Sequence, residues 1–480
     1  MQKGSFPDLL LSRRKFLGLG AGALATLGLG SSAHSQSPFG NFFFEPEVRS
    51  SANGFLSSTL RATQGVVPIQ GRLVNTTGIY EGSFPGPTFR IRPGDFFQVE
   101  LINDLSVETN IHVHGFHVSP MTPSDNVLLH VPAGQRFTYQ YTLPPDHPGG
   151  TYFYHPHLHG LAANQTVSGM AGMIIIEGDI DQIPGIAGLP ERSLILQRTL
   201  FSESGLIPTF SPNGVGLPGN MLVNGILTPI MFIQPGETQR WRILDATASS
   251  LINIRIEDHP MTLIAQDGNT LAHAVTIDSL NIATAQRREV LVQGGKPGVY
   301  RVTFQDTQSP APNPPRLDLA YLVVTGPAQT PQPLPTTLLP FFDLRSLTAS
   351  KERTIRFKIK GPGGNHFDQQ GFVVDDREFN PNRIDQFATL GATERWTIIN
   401  ENGPGINLVH PFHIHINPYQ VTHINGQPFN ALSYEDTTPV PVGGSITFMT
   451  RLLDFPGTWV FHCHILGHED GGMMATLQVS

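Results

Sequence analysis

The sequence predicts an all-β fold of three tandem β-sandwiches. Short alternating runs bounded by Gly, Pro and Asp recur along the chain, while long helical periodicity is scarce. The 480 residues include 49 glycines and 41 prolines, a turn-rich load that suits short strands better than long helices. Third, one turn-and-strand pattern occurs three times at a spacing of roughly 130 to 150 residues, too long for a solenoid unit and right for a sandwich.

The N-terminus reads as an address. Residues 12–17 are Ser-Arg-Arg-Lys-Phe-Leu, and an apolar, glycine-softened stretch from Phe16 to Gly30 leads to small residues at Ser31 to Ala33. That stretch is too short to span a bilayer as a helix. Charged, apolar and small-residue segments in this order make an export signal over residues 1–35, with cleavage after Ala33 or Ser35. The paired Arg13 and Arg14 resemble the twin-arginine type, against a general secretory signal that happens to carry two arginines. The expectation is an exported, periplasmic or extracytoplasmic protein, carried by the twin-arginine machinery and left with no stable membrane span after cleavage.

The repeat defines the rest. Arg92-Pro-Gly-Asp precedes Phe97 to Asn103, Gln234-Pro-Gly-Glu precedes Arg240 to Asp245, and Leu390-Gly-Ala-Thr precedes Arg395 to Asn400. Downstream come Gly150 to His155, Gly298 to Thr303 and Gly457 to His462. Thr303 stands where the outer copies have histidine, so a site built at that point belongs to the first and third copies. The boundaries expected are 38–178, 190–325 and 346–480, with a linker over 326–345 whose stretch Gly326 to Pro340 carries five prolines.

Composition narrows the chemistry. Net charge is −8 with histidine neutral, and no basic run lies outside the N-terminus, so nucleic acid is a poor partner. Cys463 is the single cysteine, which rules out disulfides within the chain, zinc ribbons and thiolate-held iron–sulfur clusters. A free thiol, a nucleophile or a metal thiolate remain. Histidine is plentiful at 19. Chance would supply less than about one His-x-His pair, whereas five occur, beginning at His112, His155, His157, His413 and His462. On a strand, residues i and i+2 share a face, so each pair is expected to aim two imidazoles at one point. In His462-Cys463-His464 the cysteine would face the other way, making one strand serve two metal sites. Cysteine with two histidines and a distant methionine is a blue-copper ligand set.

Four segments carry a family resemblance: His112-Val-His114-Gly, His155-Pro-His157, His410-Pro-Phe-His413-Ile-His415, and His462-Cys-His464 with His468 and Met473 following. They resemble the motifs of the three-domain multicopper oxidases, a group that includes laccases, bilirubin oxidases, ascorbate oxidases and metallo-oxidases. The resemblance covers the whole mature chain. It implies three cupredoxin-like Greek-key domains, the middle one without copper ligands, and four copper ions. Carried over, His410, Cys463 and His468 with axial Met473 hold the type 1 copper, and His112 and His413 the type 2 copper. His114, His155, His157, His415, His462 and His464 hold the type 3 pair. Alignment of the repeat puts His155 on His462 and His157 on His464, leaving His159 over; His117, His130 and His147 are read as supporting or surface groups.

The function implied is oxidation of a small-molecule or metal-ion reductant in four one-electron steps at the type 1 copper, with dioxygen reduced to two waters at the other three. Proton delivery calls for carboxylates. Asp125, eleven residues after His114, and Glu469, beside His468, match the acids such enzymes place there, the bland alternative being loop carboxylates satisfied by backbone amides. Glu435 and Asp436 are either acids of the substrate pocket or structural groups of their turn. Scattered methionines tilt the substrate towards phenols or aromatic amines rather than Cu(I), Fe(II) or Mn(II). A copper-free scaffold protein of the same fold would lack ligands, and here none is missing; a two-domain nitrite reductase conflicts with the length and with a type 3 pair.

Overall fold

The computed structural model describes residues 41–69, 72–199, 220–308, 313–361, 371–403 and 405–480. The expected export segment and the start of the first expected domain lie outside these residues. Six sheets form three pairs, and each pair encloses its own apolar core. No helix among the described residues is long and apolar enough to cross a membrane.

The three turn-and-strand repeats are the same element three times. Strands Phe96–Asp104, Thr238–Asp245 and Thr393–Asn400 each lie inside a sheet, flanked by a parallel partner (Phe55–Ile69, Glu191–Thr199, Lys351–Lys360) and an antiparallel one (Arg136–Thr142, Arg287–Gln293, Ser445–Arg451). In the outer two, alternate residues face the core: Phe97, Val99 and Leu101 in one, Trp396 and Ile398 in the other. The middle copy is buried along its whole length. Its core face holds Trp241 and Ile243, and its other face carries Arg240 and Arg242 into a seam with the first sandwich. There Arg242 bonds Glu289 at 2.8 Å and Glu191 at 2.6 Å, while Arg240 bonds Glu289 at 2.7 Å and Asp181 at 2.6 Å. Pairing and hydrogen bonding let these charges leave water.

In the opposing sheets, Gly150–His155 lies between Gly172–Ile176 and His112–His114, and Gly457–Cys463 between Met474–Val479 and His410–Ile414. The register sets His112 opposite His155 and His413 opposite His462. The middle copy, Gly298–Asp306 beside Leu251–Ile256, sets Arg255 opposite Thr303 at that place. The first and third sandwiches meet along these histidine-bearing strand ends. Two further contacts hold that seam. Asp470 accepts backbone N–H groups of Gly160, Ala162 and Ala163 at 2.8, 3.3 and 2.8 Å, at the start of the short helix Ala162–Ser168. A small core beneath joins Ala163 and Val167 to Leu222, Ala248 and Leu466, one or more from each sandwich.

Candidate metal centre

Ten of the twelve expected ligands are histidines, and all ten are at most 2% exposed. Their ring nitrogens and the Cys463 thiol converge in groups whose donor atoms lie within 4.8 Å of one another: His410, Cys463 and His468; His114, His155 and His464; His157, His415 and His462; and His112, His114 and His413. His157 Nε2 and His415 Nε2 stand 3.0 and 3.3 Å from His462 Nε2. Met473 is buried in the Cys463 core, and its carbonyl accepts the Cys463 N–H at 3.1 Å.

This grouping corrects the expectation that each His-x-His pair meets at one point. Three pairs are split, His155 from His157, His413 from His415 and His462 from His464, while His112 and His114 share one group with His413. Same-face neighbours on a strand are about 6.6 Å apart, twice the rise per residue, so their rings reach adjacent positions. Several pairs also straddle a strand end, since Gly150–His155 stops before His157 and Gly457–Cys463 before His464. His159 is exposed and lies against Phe379, and among the described residues His117, His130 and His147 belong to none of the groups.

The chemistry of the donors fits a soft, nitrogen-binding cation. Burial pushes the histidines far below their ordinary range, His155 and His157 to about 3 with neighbouring imidazoles adding to it, His410 to about 3 and His462 to about 4. They are neutral, with lone pairs free. Among the described residues the buried ring nitrogens without a hydrogen-bond partner are His112 Nε2, His114 Nδ1, His155 Nε2, His413 Nε2, His415 Nδ1 and His468 Nε2, with both nitrogens of His464. The opposite nitrogens of several are held: His112 Nδ1 by Asp125 at 2.9 Å, His413 Nδ1 by the Asp436 carbonyl at 2.8 Å, His155 Nδ1 by the Pro156 carbonyl at 2.9 Å, and His114 Nε2 by Asp436 Oδ1 at 3.1 Å. Unmet nitrogens inside and anchored ones outside are the pattern of metal-binding histidines. Burial pushes the Cys463 thiol up, so it becomes a thiolate only with a cation beside it.

Both expected acids touch ligand rings. Asp125 takes the Val113 N–H at 3.0 Å as well as His112, and burial pushes it up to about 8. Glu469, wholly buried, has Oε2 3.0 Å from His462 Nδ1 and Oε1 3.5 Å from His157 Nδ1; burial pushes it up to about 7. Asp436 is no substrate-pocket acid, because it sits at the His114 and His413 rings, gripped by Arg287 of the middle sandwich through Nη1 at 2.9 Å and Nη2 at 2.5 Å. Glu435 is buried beside it, bonded to Thr438 at 3.0 Å. Arg287 escaped the sequence reading. It lies in a strand reading Arg-Arg-Glu-Val, where charge looks like a solvent face, and only its contacts across 149 residues mark it.

Paired sheets around a buried imidazole-and-thiolate centre define a cupredoxin-type metalloprotein. Residues 61–180, 195–325 and 348–480 each match a family model described as multicopper oxidase, and the chain belongs to that family. It is similar to the multicopper oxidase mco of Staphylococcus haemolyticus, 28% identical over 91% of this chain and 92% of the relative. It also resembles a laccase of Bacillus stratosphericus, 25% identical over 83% of this chain and 90% of the relative. Among solved structures, a Campylobacter jejuni multicopper oxidase described as a metallo-oxidase superposes with TM-score 0.80 at 26% identity, covering 92% of this chain and 96% of that one. The protein is a copper-binding oxidoreductase with a cupredoxin fold.

Proposed function

We propose that the enzyme couples four one-electron oxidations of a phenol or aromatic amine to reduction of dioxygen to two waters. The carrying observation is the convergence of its buried donors in one group that holds Cys463 and three groups of imidazoles alone. His410, Cys463 and His468 with Met473 hold a type 1 copper; His112 and His413 hold a type 2 copper; His114, His155 and His464, and His157, His415 and His462, hold the two ions of a type 3 pair. Copper in these positions supplies single-electron uptake at one end and multi-electron delivery to dioxygen at the other. Cys463 is peptide-bonded to both His462 and His464, so a path of a few covalent bonds joins the two ends. Asp125 orients His112 through Nδ1, Glu469 lies beside His462 and His157, and these two carboxyls hold and pass the four protons the reaction consumes.

The sandwiches occupy 38–178, 190–325 and 346–480, joined by 326–345, and residues 1–35 address the chain to the twin-arginine machinery for use outside the cytoplasm. A second reading, oxidation of Cu(I), Fe(II) or Mn(II), is supported by the likeness to the Campylobacter jejuni metallo-oxidase. Oxygen consumption by the copper-loaded protein with phenols, bilirubin, Cu(I), Fe(II) and Mn(II) separates the two. We expect the highest kcat/KM with a phenol; a clear preference for a metal ion reverses the substrate, and four bound coppers without uptake on any donor removes the oxidase reading.

A further inference from the structure

His468 is the ligand through which a reductant would reach the thiolate group, yet it is fully buried. Its Nδ1 lies 3.6 Å from Cys463 Sγ, and Nε2, on the far side of the ring, is buried without a hydrogen-bond partner among the described residues. The cover is Phe372, 3% exposed, from the strand Gly371–Val374. Its ring stacks on the imidazole with centroids 4.8 Å apart and planes 23° apart. Two glycines make the notch that admits it. A Cβ on Gly471 would stand 2.5 Å from Phe372 Cδ2, and one on Gly472 would stand 2.9 Å from the Phe372 carbonyl oxygen. Gly471 has φ −81°, a conformation open to any residue, so what requires glycine there is the approach of Phe372. The Gly472 carbonyl then accepts the Phe379 N–H at 3.0 Å, tying down the far end of the same segment.

We propose that Phe372 determines donor specificity as an aromatic cover: reductants deliver electrons across its ring, and a planar phenol cannot lie directly against His468. Each encounter removes one electron from the donor, which leaves as a radical after losing its phenolic proton to solvent; dioxygen is the terminal oxidant. The inference rests on the reading of His468 as the electron-entry ligand, but the cover itself is testable without copper. In copper-free protein treated with diethylpyrocarbonate, and read by peptide mass spectrometry against exposed His130 as internal standard, His468 is expected to resist modification. Phe372→Leu, Phe372→Ala and Gly471→Ala should expose it, the leucine keeping the core filled should alanine fail to fold. Wild-type His468 reacting as fast as His130, or a folded variant that leaves it protected, overturns the proposal. In copper-loaded protein the ratio of kcat/KM for 2,6-dimethoxyphenol to that for hexacyanoferrate(II), too bulky for the slot left by the ring, should rise about tenfold in the variants; an unchanged ratio also overturns it. A chain that binds no copper sinks the oxidase reading instead, and leaves the protection result standing.

Discussion

The middle sandwich and its two neighbours share a strand plan and differ in what stands at one register position. His112 faces His155 in the first copy and His413 faces His462 in the third, whereas Arg255 faces Thr303 in the second. The same fold has thus been given two duties. The outer copies turn imidazoles towards each other across their seam. The middle copy turns guanidinium groups outward: Arg242 towards Thr151 of the first sandwich and Arg287 towards Asp436 of the third. It supplies no ligand among the described residues, yet it grips the carboxylate that holds His114.

The sharpest way to break the comparison is to remove what only the third copy has. Cys463→Ser should abolish oxygen uptake and the intense blue absorption while the imidazole groups keep their metal, measured as three coppers per chain instead of the four expected. Loss of all copper would show that the two centres are not separate. Next, His155→Thr gives the first copy the middle copy's residue and should cut turnover by at least about a hundredfold through loss of one ion of the coupled pair. The reciprocal Thr303→His should gain no metal, because its cross-strand neighbour remains Arg255; a fifth bound copper would contradict that.

How much of this was legible follows from where the signals lie. The three sandwiches could be read because each copy repeats its own turn and strand, a local pattern. The clustering of the histidines could be read because histidine is rare enough for five His-x-His pairs to stand out. The splitting of three of these pairs between neighbouring groups was misread, since alternation fixes a face and says nothing of the distance along it. Arg240 and Arg395 open the same Arg-Trp pattern, yet Arg395 is exposed and Arg240 is 2% exposed. The difference lies in Asp181 and Glu289, 59 and 49 residues away, which no window on the strand contains. The pairing of Arg287 with Asp436 was illegible for the same reason, and the sequence left Asp436 open between a pocket acid and a structural group of its turn.

Arg287 tests whether the middle copy's charge matters to the centre. Arg287→Leu leaves Asp436 buried without its cation, while Asp267 keeps Arg288 at 3.0 Å, and removing one partner of a buried pair costs about 3–5 kcal/mol. A fall in the midpoint of urea unfolding is expected, together with weakening of the near-ultraviolet band of the type 3 pair while the blue band persists. Arg287→Lys keeps the charge and loses the two-pronged grip, so it should restore much of the stability and little of the spectrum. Loss of both bands together would make Arg287 a general stabiliser with no particular hold on His114.

The smallest contrast lies at the end of the repeated strand, where the outer copies have Asn103 and Asn400 and the middle copy has Asp245. Asn103 takes the Leu105 N–H at 3.0 Å on its oxygen and donates Nδ2 to the Val107 and Val131 carbonyls, each at 2.9 Å. Asp245 repeats the first contact with the Thr247 N–H at 3.0 Å, but its Oδ2 has no hydrogen-bond partner among the described residues. Burial, opposed by the Thr247 donors, pushes this carboxyl up to about 7. A folded-state pKa above the unfolded one means that the group's contribution is fully present below about pH 4 and is lost as pH rises through 7, because the unfolded chain ionises first. Asp245→Asn carries no such loss. Between pH 5 and pH 8 the wild-type enzyme should therefore surrender about 2 kcal/mol that the variant keeps, seen as a variant melting a few degrees higher at pH 8 and level with wild type at pH 5. Equal offsets at both pH values would mean that the side chain is already ionised in the fold, and that the middle copy tolerates a buried charge where its neighbours use an amide.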